Sequence, residues 1–171
     1  MRVPRVGGPR RVVTAAVAAL ASERGLVVEA ASPIIDSAPL GPSRRRYTNA
    51  AALICCDLPP PALLGVLQAI ERDFGRRRRG GRWRARPLDL DIVLASGGPW
   101  RSERLTIPHP EFRNRAFVLG PGAAIAGDWR DPASGATLRQ LRARLTRPRP
   151  LPRCRAVGPL AQSVEQLTFN Q

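Results

Sequence analysis

The sequence predicts an α/β (α+β) two-layer protein with helices packed on a sheet, and three observations predict it. Residues 9–24 and 59–74 place apolar side chains at helical spacing, whereas 26–35, 47–57 and 88–94 are apolar and β-rich. Within 88–94 the apolar residues Leu88, Leu90, Ile92 and Leu94 alternate with Asp89, Asp91 and Val93, the period of a half-buried strand. With 171 residues, 43% of them apolar, the chain suits one domain able to bury a core.

Taken in order, the first helix spans residues 9–24, with Val13, Ala16, Val17 and Leu20 inward and Gly25 as its stop. Basic residues ahead of a short apolar run also give this stretch the outline of a signal or transit peptide. No run approaches the roughly 20 apolar residues of a membrane span. Two β-rich stretches follow, 26–35 and 47–57, joined by 37–46, whose prolines and glycine mark a loop that can act as a lid. Tyr47 and Asn49 lie two apart and face one side, the arrangement for reading a flat polar heterocycle by its face and its edge.

Pro59, Pro60 and Pro61 suit the first turn of a second helix, in which Leu63, Leu67, Ile70 and Phe74 form the core face until Gly75 ends it. Gln68 and Glu71 fall on another face and read as exposed polar residues. After the strand at 88–94, residues 95–99 make a turn, and 105–109 return as a short extended piece holding the only histidine, His109. From Gly120 the sequence reads as a Gly/Pro-rich turn, followed by a second turn at 131–135 and a short helix with Leu138, Leu141 and Leu145 inward. Residues 1–146 are expected to form the domain, and 147–171 a Pro/Arg-rich linker and disordered tail.

The formal net charge of +15 comes from 28 basic residues, all of them Arg, which favours anion binding because the guanidinium fork matches phosphate oxygens in pairs. Cys55, Cys56 and Cys154 contain no C-x-x-C pair and read as reduced structural thiols of a cytoplasmic protein.

The chemistry concentrates where an arginine-rich loop runs into the last strand. Arg76, Arg77, Arg78, Arg79, Arg82, Arg84 and Arg86 precede Asp89 and Asp91, whose backbones would stand roughly 7 Å apart on one face. Two adjacent carboxylates are costly without a cation between them, and Mg²⁺ accepts one or two carboxylates while phosphates supply further oxygens. A solvated ion-pair cluster is the plain alternative for the two aspartates. No Gly-rich phosphate loop is present.

Arg82 and Trp83, Arg86, Leu88 to Ile92, Pro108 and His109, Asn114 and Arg115, and Phe117 together resemble the signature of the 6-hydroxymethyl-7,8-dihydropterin pyrophosphokinase family of the folate pathway. The resemblance spans roughly residues 12–145 and is strongest over 47–117. It implies a ferredoxin-like, mostly antiparallel sheet and transfer of pyrophosphate from ATP to the pterin with two Mg²⁺ ions. By resemblance, Asp89 and Asp91 bind the metals and act in catalysis with Arg76 and Arg86. Leu40, Tyr47, Asn49 and Phe117 would contact the pterin, with Phe117 facing the same way as Arg115 on extended chain. Gln68, Glu71, Arg78, Trp83, Ile92, Arg104, Thr106, His109 and Arg115 would contact ATP. The family opens with a strand and a Gly-Ser-Asn turn that have no counterpart here, so its first strand is expected to be missing. ATP and the pterin are the expected partners of a monomer, with neither membrane nor nucleic acid among them. A catalytically impaired truncated relic and a basic nucleic-acid-binding protein are the alternatives.

The arginine loop 75–86 can itself close as a lid over bound phosphates, and Trp83 would be the wall of that lid. Trp83→Ala should therefore lower turnover while leaving the unfolding midpoint nearly unchanged, measured by steady-state kinetics beside thermal melting; a midpoint that collapses together with activity would make Trp83 a core residue.

Overall fold

The computed structural model describes residues 7–38, 46–75 and 87–148. Leu40, Arg76, Arg78, Trp83, Arg86 and Cys154 lie outside the described residues, as do residues 1–6, on which the expected loss of the first strand bears, and most of the expected tail. The architecture is an α+β sandwich of four helices and small antiparallel sheets.

Helix α1 (Pro9–Ser22) begins with Pro9, whose missing N–H costs nothing in a first turn. Its buried stripe is Val12, Ala16 and Leu20, four apart, so that the expected Val13 and Val17 are only half-buried at its edges. Gly25, at φ 81°, reverses the chain into strand β1 (Val27–Ala31).

The two predicted β stretches each divide into two short strands. β1 pairs antiparallel with β4 (Ala52–Cys55), Val27 opposite Cys55 and Ala31 opposite Ala52, with a register irregularity between Val28 and Ala30. β2 (Ile35–Ser37) pairs antiparallel with β3 (Tyr47–Asn49), Ile35 opposite Asn49. Pro33 supplies no N–H to a ladder, and the break it marks is spanned by buried Ser32. Its amide donates to the Ala51 carbonyl at 2.8 Å and its Oγ accepts from the Ala51 amide at 2.9 Å. The outer pair is tied to α1 by Asp36, which accepts from Arg10 and from Thr48, each at 3.0 Å. The Arg10 bond, with that of Thr48, holds the Asp36 carboxyl below its ordinary range.

Helix α2 (Pro60–Asp73) presents Leu67 and Ile70 to α1, and Gly75 at φ 87° closes it. Val12, Ala16, Leu20, Leu26, Leu67, Ile70 and Leu88 make one core cluster. A second gathers Phe112, Leu119, Ala136, Leu138 and Leu141.

Residues 88–94 link the two. The alternation read from the sequence holds, with Leu88 buried and Asp89 and Asp91 exposed, but the segment is not a strand of any assigned ladder among the described residues. Among the described residues its backbone is bonded from the Leu90 N–H to a side chain of α2 and from the His109 N–H to the Val93 carbonyl. Leu90 and Ile92 pack on the first cluster, Val93 and Leu94 on the second. The hairpin of β5 (Trp100–Arg101) and β6 (Thr106–Ile107) follows.

A 3-10 turn (Phe112–Asn114) leads into α3 (Ala116–Ala126). The Gly/Pro-rich turn expected from Gly120 is instead the middle of this helix, with Pro121 inside it. Burial overrides propensity here: α3 is apolar on all sides and packs against α4 (Leu138–Thr146), β2 and β4. Small residues permit the approach, since a Cβ on Gly122 would stand 3.5 Å from Leu138 Cδ1. At Gly127, which caps α3, a Cβ would stand 2.8 Å from the Ala123 carbonyl oxygen. α4 starts with a capping box between Thr137 and Gln140 and buries Leu138 and Leu141, whereas Leu145, expected inward, is 39% exposed in its last turn.

Between α3 and α4 the loop is built on Asp131, which is fully buried. It accepts from Arg113 Nε at 2.8 Å and from a second guanidinium nitrogen, from Ser134 Oγ at 2.6 Å, and from the Ala133 and Ser134 amides at 3.2 Å. The Arg113 hydrogen bonds hold this carboxyl well below the ordinary carboxylate range, burial opposing them and the Ser134 and Ala133 donors assisting. A carboxyl depressed in the folded state takes up protons first in the unfolded chain. Its stabilisation is therefore full above the ordinary carboxylate value and is lost as pH falls below it. Asp131→Asn should cost about 3 kcal/mol at neutral pH. It should also flatten the loss of unfolding free energy between about pH 5 and pH 2, as read by denaturant titration at stepped pH; equal slopes for variant and parent would contradict this.

Candidate active site

The floor of the site is the meeting of α2 with residues 88–94. Glu71, expected to be exposed, is 1% exposed, because three positions after Gln68 the helix has turned onto the core side of α2. Its Oε1 accepts the Leu90 N–H at 2.8 Å. That peptide lies between Asp89 and Asp91, so a buried carboxylate on a rigid helix fixes the backbone that presents two exposed ones. Bonding to a backbone N–H supports a buried carboxylate that would otherwise be strongly disfavoured. Asp89 and Asp91 face outward on the same side, as the alternation of burial requires.

Beside this floor is a cleft of about 420 Å³ between α2 and the β5–β6 hairpin. Gln68, Leu64 and Gly65 line it from the helix, and Ser102, Arg104 and Leu105 from the hairpin turn. Gln68 and Arg104 are thus brought to one cavity. Thr106 is half-buried on β6, one residue beyond the lining. Ile92 is half-buried with its side chain packed on the first core cluster.

After the β5–β6 hairpin comes the turn from His109 to Arg115. The His109 amide is bound to the Val93 carbonyl at 2.9 Å, which ties this turn to the aspartate segment. Nδ1 of His109 accepts the Glu111 N–H at 3.2 Å. In the neutral ring the proton then resides on Nε2, making that nitrogen the donor. Arg115 is the N-cap of α3. Its Nε is buried and has no hydrogen-bond partner among the described residues, a state that costs free energy until an acceptor arrives. The chain is not extended from Arg115 to Phe117 as expected, since Phe117 is already in α3. The two side chains nevertheless meet, the Arg115 guanidinium carbon standing 5.9 Å from the Phe117 ring centroid.

Tyr47 and Asn49 both belong to β3; Tyr47 is half exposed, and Asn49 Nδ2 donates to Ser37 Oγ at 2.9 Å. Ser37, absent from the sequence-based site, therefore sets the orientation of the Asn49 amide from the paired strand. α3 packs on β2 and β3, and Phe117 lies one turn before Gly120, which faces Ile35 of β2. No sequence signal indicates that Ser37 meets Asn49, because strand register decides it.

The described residues contain no group of three or more His, Cys, Asp or Glu able to enclose a metal. Two outward carboxylates are the donor set of a metal that keeps open positions. This fits Mg²⁺, which takes one or two protein carboxylates and leaves the remaining positions to phosphate and water.

A model of the 7,8-dihydro-6-hydroxymethylpterin-pyrophosphokinase family matches residues 5–127. The chain is 41% identical over 150 residues to the 2-amino-4-hydroxy-6-hydroxymethyldihydropteridine pyrophosphokinase of Synechocystis sp., covering 88% of this chain and 73% of that protein. It is 42% identical over 125 residues to the protein of that name from Pseudomonas aeruginosa, covering 72% and 76%. Against the one from Methylorubrum extorquens it is 37% identical over 141 residues, covering 82% and 87%. By the family match, and by its similarity to these proteins, the chain belongs to the 7,8-dihydro-6-hydroxymethylpterin-pyrophosphokinase family.

Proposed function

We propose that this protein transfers the terminal pyrophosphoryl group of ATP to the hydroxymethyl group of 6-hydroxymethyl-7,8-dihydropterin, a step in folate synthesis. The observation that carries the reading is the outward pair Asp89 and Asp91, held from beneath by Glu71 in a chain of this family. The hydroxyl oxygen of the pterin attacks the β-phosphorus. The bond from that phosphorus to the α,β-bridging oxygen breaks, AMP leaves with its electron pair, and the hydroxyl proton passes to solvent. There is little covalent work for the protein, so placement and charge neutralisation dominate.

Asp89 and Asp91 would hold two Mg²⁺ ions, which when bound offset phosphate charge and make the hydroxyl more acidic. Arg115 supplies its unpartnered Nε to a phosphate oxygen, and His109 donates from Nε2. The cleft lined by Gln68 and Arg104 suits the nucleoside end of ATP, with Thr106 and Ile92 at its border. Glu71 then acts on the nucleotide through the aspartate backbone, its burial leaving it no direct contact. Tyr47 and Phe117 supply rings for the pterin and Asn49 an amide for its edge. Arg76, Arg78, Trp83, Arg86 and Leu40, which lie outside the described residues, complete the phosphate and pterin contacts in this reading.

The pyrophosphokinase unit is assigned to residues 1–146 and the Pro/Arg-rich remainder to a linker and tail, in keeping with the end of α4 at Thr146. We take the protein to act as a cytoplasmic monomer; no described helix is long and apolar enough to cross a membrane.

AMP release from ATP in the presence of the pterin and Mg²⁺ tests the reading. Asp89→Asn or Asp91→Asn should lower turnover about 100-fold or more with the melting temperature retained, because each removes a charge and little volume. Wild-type turnover in either variant would refute the metal assignment. No AMP release by the parent, together with steeply salt-dependent binding to arbitrary DNA, would favour a nucleic-acid-binding protein.

A further inference from the structure

We infer that Asp131, acting through Arg113, is a positioning residue for the phosphate-binding turn that carries His109 and Arg115; the inference rests on the pyrophosphokinase reading. The turn itself is lightly built. Phe112 N–H donates to the His109 carbonyl at 3.1 Å, Asn114 N–H to Glu111 at 3.1 Å, and Arg115 N–H to Phe112 at 3.3 Å. Hydrogen bonds of this tight kind have poorer geometry than those of an α-helix and hold only short runs. Something else must keep Arg115 aimed.

Arg113, in the middle of the turn, is directed at the loop between α3 and α4. Its guanidinium carbon stands 4.7 Å from the centroid of the Phe112 ring, and Phe112 is fully buried. Two of its nitrogens grip the two oxygens of Asp131, a fork that fixes orientation as well as distance. Asp131 is in turn immobile. Its amide donates to the Ala136 carbonyl at 2.9 Å, its carbonyl accepts from Gly135 at 2.8 Å, and the Ser134 and Ala133 donors occupy the rest of its carboxylate. A rigid loop between α3 and α4 thus anchors, 18 residues away in sequence, the turn that opens α3. The pairing also neutralises Arg113, so the turn presents Arg115 to an anion without a competing guanidinium two residues away.

The test uses the whole chain and a non-hydrolysable ATP analogue with Mg²⁺, titrated calorimetrically, together with the KM for the pterin at saturating ATP. Asp131→Asn should weaken the analogue about 10- to 100-fold, as misplacement of a binding group does, while the pterin KM stays within about threefold. Arg113→Lys keeps a charge but loses the fork. It should weaken the analogue in the same direction, and it carries the test if Asp131→Asn fails to fold, since the Arg113 side chain is 32% exposed. Ser134→Ala removes a support of Asp131 without touching the fork; it should lower the melting temperature and leave analogue affinity within about twofold. Analogue affinities within twofold of the parent for both Asp131→Asn and Arg113→Lys would overturn the inference alone. So would Ser134→Ala weakening the analogue as much as Asp131→Asn, which would reduce the effect to loop stability. A parent protein that neither binds the analogue nor releases AMP would overturn the pyrophosphokinase reading and this inference with it.

Discussion

The hydrogen bond from the Leu90 amide to the buried carboxylate of Glu71 is the constraint on which the site depends. Residues 88–94 join no assigned ladder among the described residues. Apolar side chains on both hydrophobic clusters set their depth, and Glu71 sets their register against α2. A slip by one residue would bury Asp89 and Asp91 and expose Leu88 and Leu90, an exchange that costs desolvation of two charges as well as lost apolar burial. Fixing one peptide between two aspartates is thus equivalent to fixing the face on which both stand.

Three elements carry the other candidate site residues, with different degrees of rigidity. α2 contributes a helix flank, the β5–β6 hairpin a turn, and the residues from His109 to Arg115 a short run of tight bonds. The buried Nε of Arg115 is the one side-chain nitrogen or oxygen left unsatisfied in this way among the described residues. Folding therefore leaves its cost at the place where an anion can remove it. The arginine-only basic composition is consistent with this, because a guanidinium can stack on Phe117 and still offer donors.

Much of this was legible in the sequence, and the parts that were not share a physical cause. α1, α2 and α4 were readable because their apolar spacing and their Pro, Gly and Thr termini are local signals. The outward aspartates were readable because alternation survives without a ladder. Each β stretch reads as one strand in the sequence, because the division at Ser32 and Pro33 depends on a pairing with Ala51 that only the fold creates. α3 was misread because Gly120 and Pro121 argue for a turn, and only enclosure by its neighbours makes a helix there favourable. Glu71 was read as exposed because its helix flank looks polar in sequence; its partner is a backbone amide 19 residues on. Ser37 with Asn49, and Arg113 with Asp131, meet only through tertiary structure. The resemblance supplied roles for Arg115 and His109 that spacing alone could not.

Gly127 adds a consequence for how this region tolerates sequence change. Its backbone, at φ −56°, is one that any residue adopts, so conformational preference does not require glycine there. Space does: the first carbon of any side chain would stand 2.8 Å from a main-chain oxygen, which cannot swing aside as a flexible arginine can. Alanine, normally the mildest replacement near a helix end, would therefore force the main chain at the end of α3 to shift. What glycine supplies at this position is clearance rather than freedom of rotation, so the chain end of α3 is set by the distance at which the backbone passes itself.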